Sequence, residues 1–341
     1  MSEENLYKNP IRKLKIIKYT PSLKDELISF ILCNELDELN ALNIFEKDLT
    51  KDNLEEKSRS LIDSNNLMFF VLQSNEDNTV IGIFCLNILD QSNNISFIIK
   101  KNYRNKGYGK IGLYLLIKEL SINNPSINEY HFTVSKDNIP AVLVIFGNNA
   151  SLLKETETEY TLKISKNNNV WFHKIKIDDL PRVMEITASA KNLLKKNGSL
   201  QWQQGYPNEE TFTNDINNER LYGLYEDYKL MGYGAYVYGK DLNYVEIEGG
   251  KWDIPANDKD MAIHRVAVDE HSHGKKYGIK ILEYGIKYAK KLGCITVKVD
   301  THKNNIPMQK CIEKSGFLYR GIIKILTEKL DNLRLAYEIV L

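Results

Sequence analysis

Two stretches of this chain repeat one another in order and spacing, and any fold for the whole must house both. The first reads RNKGYGKIGLYLLIKEL from Arg104 and continues to HFTVSKDNIPA, ending at Ala141. The second reads HGKKYGIKILEYGIKYAKKLG from His273 and continues to VKVDTHKNNIPM, ending at Met308. Asn305-Ile306-Pro307 follows Asn138-Ile139-Pro140 by 167 residues, and the intervals back to His273 and Arg104 differ by only two. Repetition at a fixed spacing marks a duplicated structural unit. A chain of 341 residues has room for two hydrophobic cores of roughly 150–170 residues each. The polar, aperiodic Asn167-Asn168-Asn169 is the predicted linker, giving domains over 1–166 and 167–341.

Both halves read as α/β. In the first, LKIIKY from Leu14, LMFFVLQ, TVIGIFCLN, ISFIIK from Ile95, HFTV from His131 and YTLKIS from Tyr160 suit strands. Helices are expected from Leu23, after the Arg104 turn, and after Asn138, where Pro140 fits a first helical turn. In the second half, VWFHKIKI opens a strand at Val170 and LPRVMEITASAKNLL suits a helix. Two alternating blocks between Tyr222 and Val245 predict paired antiparallel strands. HRVAV from His264 and ITVKVD from Ile295 are strands, Tyr277 onward is a helix, and Asn305 starts a short helix ending at Gly316. Strands from Leu318 to Leu326 and Leu333 to Val340 complete it, so each half is a mixed central sheet flanked by helices.

Composition excludes little but is useful. Lys plus Arg number 46 against 45 Asp plus Glu, a net charge of +1, so nucleic acid is not an expected partner. Cys33, Cys85, Cys294 and Cys311 have neither metal-ligand spacing nor the look of a disulfide framework. No metal is expected, and a reducing cytoplasm is the default location. The opening MSEENLYKNP lacks an apolar signal segment, and no later run nears the ~18 apolar residues of a spanning helix, so no membrane association is expected.

The turn Arg104-Asn105-Lys106-Gly107-Tyr108-Gly109 joins a strand to an amphipathic helix. Backbone N–H groups at such a turn converge on an anion, and glycines let the backbone approach a phosphate closely. Its spacing is neither that of a dinucleotide-binding turn nor that of a phosphate loop ending in Gly-Lys-Ser/Thr. Arg-x-x-Gly-x-Gly here resembles the acyl-CoA pyrophosphate loop of the GCN5-related N-acetyltransferase (GNAT) superfamily. In the second half HRVAV, HGKKYG, DTHKNNIPM and EKSGF stand in the superfamily order. That resemblance spans about Val170 to Leu341, and a weaker one spans about residues 11–165. It implies two acyl-CoA N-acyltransferase-like domains and acetyl-CoA as acyl donor, bound where neighbouring strands splay. By the same pattern Arg104, Gly107 and Gly109 contact the cofactor in the first half. In the second, His273, Gly274, Lys275, Lys276 and Gly278 do so, with backbone near Val266 and Val268 polarising the acetyl carbonyl and Asn305 near the pantetheine arm. There His273 replaces the usual Arg or Gln and Lys276 the usual Gly. Its ammonium can crowd the loop or reach a phosphate. Tandem members often keep only one active domain.

The second half also carries LQWQQGYPNEETF and YVEIEGGKWDIP ahead of IHRVAV. These resemble a bacterial subgroup of the superfamily with QW…GYP, IEG.W and IHR.AV motifs. Thioester aminolysis needs a neutral amine, a polarised carbonyl and a proton for the departing thiolate. Glu246 and Glu248, read as alternate residues of a strand, and His264 are the candidate catalytic acid–base groups. Trp202 and Trp252 are either core aromatics or a cation–π site for an amine. The resemblance implies a tyrosine acid on the last helix, but Ile312 and Ile145 stand there, leaving water, Tyr277 or Tyr284. The expected activity is acetyl-CoA-dependent N-acetylation of a primary amine, of a small molecule or a peptide N-terminus, with a homodimer compatible. A catalytically silent CoA-binding scaffold is the alternative.

Overall fold

In the computed structural model, described over residues 13–341 except 43, 46–47, 65, 89–92, 228, 273 and 328–330, the chain divides into two compact units. One runs up to Trp171 and the other from Phe172.

The first unit runs β1 (Leu14–Lys18), α1 (Lys24–Leu32), α2 (Leu36–Asn40), α3 (Leu54–Asp63), β2 (Leu67–Ser74), β3 (Val80–Asn87) and β4 (Ile95–Ile99). It continues with α4 (Tyr108–Asn123), β5 (Glu129–Ser135), α5 (Ile139–Gly147), β6 (Ser151–Glu155) and β7 (Glu159–Ser165). Strands β1-β2-β3-β4 form one antiparallel sheet and β5-β7-β6 another. An isolated parallel bridge, Asn94 to His131, links them. The middle strands are almost wholly apolar because both faces are covered. Leu27, Ile31, Leu54 and Ile62 pack with Phe69, Val71 and Ile83 on one side. Gly112 of α4 sits against Phe84 and Leu72 on the other.

The second unit carries β8 (Val170–Lys174), α6 (Leu180–Lys196), α7 (Glu209–Asn217), β9 (Leu221–Glu226), β10 (Lys229–Tyr238) and β11 (Asp260–Val268). Then come α8 (Tyr277–Lys291), β12 (Thr296–Thr301), α9 (Ile306–Lys314), β13 (Leu318–Lys324) and β14 (Leu333–Val340). Its seven-stranded sheet has the order β13-β14-β12-β11-β10-β9-β8. The β11–β12 pair is parallel, whereas β9–β10, β10–β11, β12–β14 and β13–β14 are antiparallel. Tyr233 points from β10 toward α6 and α7, bonding Thr187 at 2.6 Å and meeting the Phe212 ring edge-on. Its neighbours Gly234 and Tyr236 face α8. The sheet is thus mixed and flanked by helices on both faces.

One cluster of buried charges is enclosed in this sheet. Lys298 of β12, fully buried, meets Asp260 at 2.7 Å, Glu338 at 3.5 Å and the Trp252 ring at 5.3 Å. Trp252 therefore belongs to the core with Tyr244, Ile323 and Ala336. A buried cation is tolerable only when so completely paired.

One expected strand is not formed. β10 ends at Tyr238, because Gly239 turns into the left-handed region at φ 103° and Asp241 then caps a short turn by accepting from Asn243 N–H. Glu246 and Glu248 consequently lie outside any strand, both exposed, with only an isolated bridge from Glu248 to Ile322. Their predicted alternation on one strand face is corrected accordingly. β11 in turn starts at Asp260, four residues before His264.

Gly285 sets how closely α8 lies on the sheet: a Cβ there would stand 2.7 Å from Ile263 and 2.8 Å from Tyr236. Gly285→Val is expected to cost about 1–3 kcal/mol by overpacking, read as a lower thermal midpoint. Gly285→Ala should lose less, its clash partly offset by about 1 kcal/mol of helix propensity.

Candidate active site

The parallel pairing of β11 with β12 stops early. It runs from Asp260–Thr296 to Ile263–Val299, yet β11 continues to Val268 and β12 to Thr301. The cause lies across β11. Tyr233 of β10 pairs with Ala267 and Ala235 pairs with His264, so Gly234 alone opposes both Arg265 and Val266. This is a β-bulge, and such a bulge bends its strand and increases the local twist. Arg265 adopts φ 52° at the bulge. Its guanidinium is pinned by Asp215 of α7, an ion pair with Nε–Oδ2 at 2.7 Å and a hydrogen bond from Nη2 to Oδ1 at 3.0 Å, and it donates to Tyr206 Oη at 2.7 Å. Beyond Ile263 the edge of β11 that faces β12 has no ladder partner among the described residues, leaving backbone groups between His264 and Val268 open.

A cavity of about 1030 Å³ fills the wedge, lined among others by His264, Val266, Val268, Asp300 and Asn305. It reaches the start of α8, where Gly274, Lys276, Tyr277 and Gly278 line it. Lys276 holds φ 57° and has no side-chain cap. The corresponding turn of the first unit has Gly107 at φ 86° before the equally uncapped α4. Uncapped N–H groups and the helix field make either start suited to an anion. A side chain thus occupies a backbone shape glycine takes freely, at a cost of roughly 1–2 kcal/mol.

A histidine–aspartate pair stands where the two strands part. His264 Nε2 lies 2.7 Å from Asp241 Oδ2, with both side chains nearly enclosed. With Nε2–H donating to the carboxylate, Nδ1 is left as proton acceptor. Burial alone would raise the Asp241 carboxyl, but the bond and charge of His264, with Asn243 N–H, pull it down to about 2. The Tyr244 ring lies parallel to the imidazole, centroids 5.8 Å apart, and its hydroxyl donates to Asp300 at 2.8 Å. Burial pushes the Asp300 carboxyl above the usual range, against the pull of His264 and Tyr244.

The predicted residues are only partly gathered here. His264, Val266, Val268, Gly274, Lys276, Gly278, Asn305 and Trp202 line the cavity, while Glu246, Glu248, Lys275 and Trp252 do not. Lys275 instead pairs with Glu226 at 2.6 Å, and His273 lies outside the described residues. Asn305 also caps α9, accepting from Met308 N–H at 3.3 Å. Ile312 and Ile145 are buried; Tyr277 lines the cavity, whereas Tyr284 stacks on Phe172 in the core at 4.4 Å. In the first unit Arg104 is committed to Glu38, at 2.5 and 2.8 Å, and to the Ile99 carbonyl at 2.8 Å. Gly109 packs on Val144. Sequence reasoning passed over Asp241, Asp300 and the Arg265–Asp215 pair. Asp300 lay inside the quoted DTHKNNIPM, and its place before a Thr-His pair at a strand end was the available signal.

The model of the Acetyltransferase (GNAT) family matches residues 33–145 and again 187–317, well over half of the chain. No curated protein matches it. Among solved structures, a GNAT-family acetyltransferase from Streptococcus agalactiae 2603 is similar at 28% identity, over 50% of this chain and 95% of that one, with a TM-score of 0.46. A GNAT-family acetyltransferase from Listeria monocytogenes 4b F2365 overlays at 14% identity, 50% and 95% coverage and a TM-score of 0.40. A spermidine N-acetyltransferase from Vibrio cholerae, in complex with CoA and spermine, gives 15% identity, 46% and 98% coverage and 0.37. Each overlay spans about half of this chain. Among the described residues no helix is long and apolar enough to cross a membrane.

The depressed Asp241 carboxyl has a stability consequence with a definite sign. A shift from 3.8 to about 2 is worth on the order of 2 kcal/mol. That contribution is present above the unfolded value near pH 4 and lost as pH falls through the folded value. Asp241→Asn should therefore unfold more readily than the parent at pH 7, and the gap should close between pH 4 and pH 2 in paired denaturant titrations.

Proposed function

The chain belongs to the acetyltransferase (GNAT) family, and from that premise we propose that residues 167–341 transfer the acetyl group of acetyl-CoA to the primary amine of a small molecule. The observation that carries this reading is the His264–Asp241 pair, set at the mouth of the strand wedge in the cavity that also reaches the uncapped start of α8.

In this reading the pyrophosphate sits on the backbone N–H groups around Gly274, Lys276 and Gly278, with the Lys276 ammonium as an added donor. The free edge of β11 from Val266 to Val268 directs N–H groups at the acyl carbonyl oxygen as it gains charge. Asn305 faces the arm of the donor. Acetyl-CoA supplies the activated carbonyl; the protein supplies position and proton transfer. His264 accepts the proton of the attacking amine, Asp241 stabilises the imidazolium that results, the N–C bond forms and the C–S bond breaks. The thiolate takes its proton from water, since Ile312 occupies the place of a phenolic acid.

Glu246 and Glu248 have no place in this chemistry, being exposed and away from the cavity. The acceptor side is walled by α6, α7 and the segment bearing Trp202 and Tyr206, which favours a compact amine over a peptide N-terminus. The turn at Gly107–Gly109 keeps the backbone of a second pyrophosphate cradle, although Arg104 is engaged elsewhere. The absent phenol and the lysine in the loop favour a second reading, a CoA-binding protein without turnover.

His264→Ala separates the two. Thiol release from acetyl-CoA, measured with a panel of amines, should fall by about 10²–10⁴ in kcat/KM, with acetyl-CoA binding by calorimetry preserved. Unchanged turnover would remove the histidine from the chemistry; a wild-type protein that binds CoA but acetylates no amine would favour the silent reading.

A further inference from the structure

The cavity contains a carboxylate that the proton-transfer pair does not use. Asp300 is the first residue of β12 beyond the last pair with β11, so it stands opposite His264 across the opening wedge. Every other aspartate lining the cavity has a cationic or imidazole partner. Asp215 has Arg265, Asp241 has His264, and Asp269 has Arg182. Asp300 accepts from Tyr244 Oη, and no Lys, Arg or His nitrogen of the described residues lies within ion-pairing distance of it. Charge reaches it from His264 first and then from Arg334, which itself donates to the carbonyls of Asp331 and Leu333 at 2.5 and 2.9 Å.

Folding alone gives no use for such a group. An asparagine would accept the Tyr244 proton equally well, without the cost of enclosing a charge. The tyrosine is nevertheless built to hold the carboxylate still: it is buried, and its ring stacks parallel to His264. When His264 is neutral and ready to accept a proton, the floor of the wedge holds two carboxylates, and among the described residues Asp300 has no ion-pair partner.

We propose that Asp300 receives the acceptor as its ammonium ion and holds it beside His264, making the site selective for basic alkylamines. This rests on the second unit being the acetyltransferase site. The single positive charge then stays in the wedge throughout. It arrives on the ammonium against Asp300, and its proton passes to His264, between Asp300 and Asp241. The neutral amine attacks the thioester; as the N–C bond forms and the C–S bond breaks, its second proton passes through water to the departing thiolate.

The experiment compares isosteric nucleophiles that differ in charge: n-butylamine, an ammonium ion at neutral pH, and O-propylhydroxylamine, which is neutral. In the wild type n-butylamine should have the lower KM. In Asp300→Asn its KM should rise at least tenfold with kcat little changed, while the KM of O-propylhydroxylamine stays within twofold. Tyr244→Phe should raise the n-butylamine KM by a smaller factor. The melting temperature of Asp300→Asn at pH 7 should equal or exceed that of the parent, since an enclosed charge is gone. Equal effects on both nucleophiles, or none on either, would overturn the assignment. A wild type inactive on both, yet acetylating other amines, would also overturn it as stated; inactivity toward every amine would sink the acetyltransferase reading itself.

Discussion

Everything chemical in the second unit depends on one extra residue in β11. A parallel pair of strands would otherwise continue its ladder, satisfying the backbone on both sides and leaving no space between them. The bulge at Arg265 and Val266 ends that pairing after Ile263. The left-handed backbone at Arg265 is unfavourable for a residue with a Cβ. It is held by what the side chain gains, an ion pair and a hydrogen bond to Asp215 and a hydrogen bond to Tyr206. A charge-assisted pair nearly out of water is among the stronger contacts available to a protein. The arginine therefore acts as a wedge pin: it ties the bent strand to α7 and so keeps the cavity open.

On the far side of the wedge, β12 must stay put while its neighbour bends away. Lys298, two residues before Asp300, is fixed by Asp260, Glu338 and Trp252. Slipping β12 by one residue would turn the ammonium out of this enclosure and leave two buried carboxylates without it, so register is heavily penalised. The ionic cluster and the bulge are complementary. One holds the strands in step up to Ile263 and Val299; the other separates them immediately after.

The architecture was readable from sequence because its signals are local. Alternation, glycine turns and Asn-Ile-Pro helix starts repeat in both halves, and the structure has strands and helices at those places. Less regular pieces escaped. β6 is exposed along its whole length and carries no apolar alternation, and α3 and α7 are short helices rich in polar residues. Of the residues read from sequence, Val266, Val268, Gly274, Lys276 and Gly278 line one cavity. The site was misread where alternation implied a strand: Gly239 stops β10 before Glu246 and Glu248 are reached. Asp241 is 23 residues from His264 and Asp300 is 56 from Tyr244. Such partners are made by tertiary packing, which spacing along one chain does not reveal.

The pair of turns at Gly107 and Lys276 separates shape from charge. Both present an uncapped helix start after a left-handed residue, but the first commits its arginine to Glu38 whereas the second carries an ammonium on a flexible stem. Fixed N–H groups act only at contact and are little affected by dissolved ions. A lysine charge acts over a distance of about 8 Å at physiological ionic strength and fades as salt is added. On the proposed reading of the second unit, then, the speed with which a polyanionic donor is captured would depend on the medium, while the pose it adopts once seated would belong to the backbone alone.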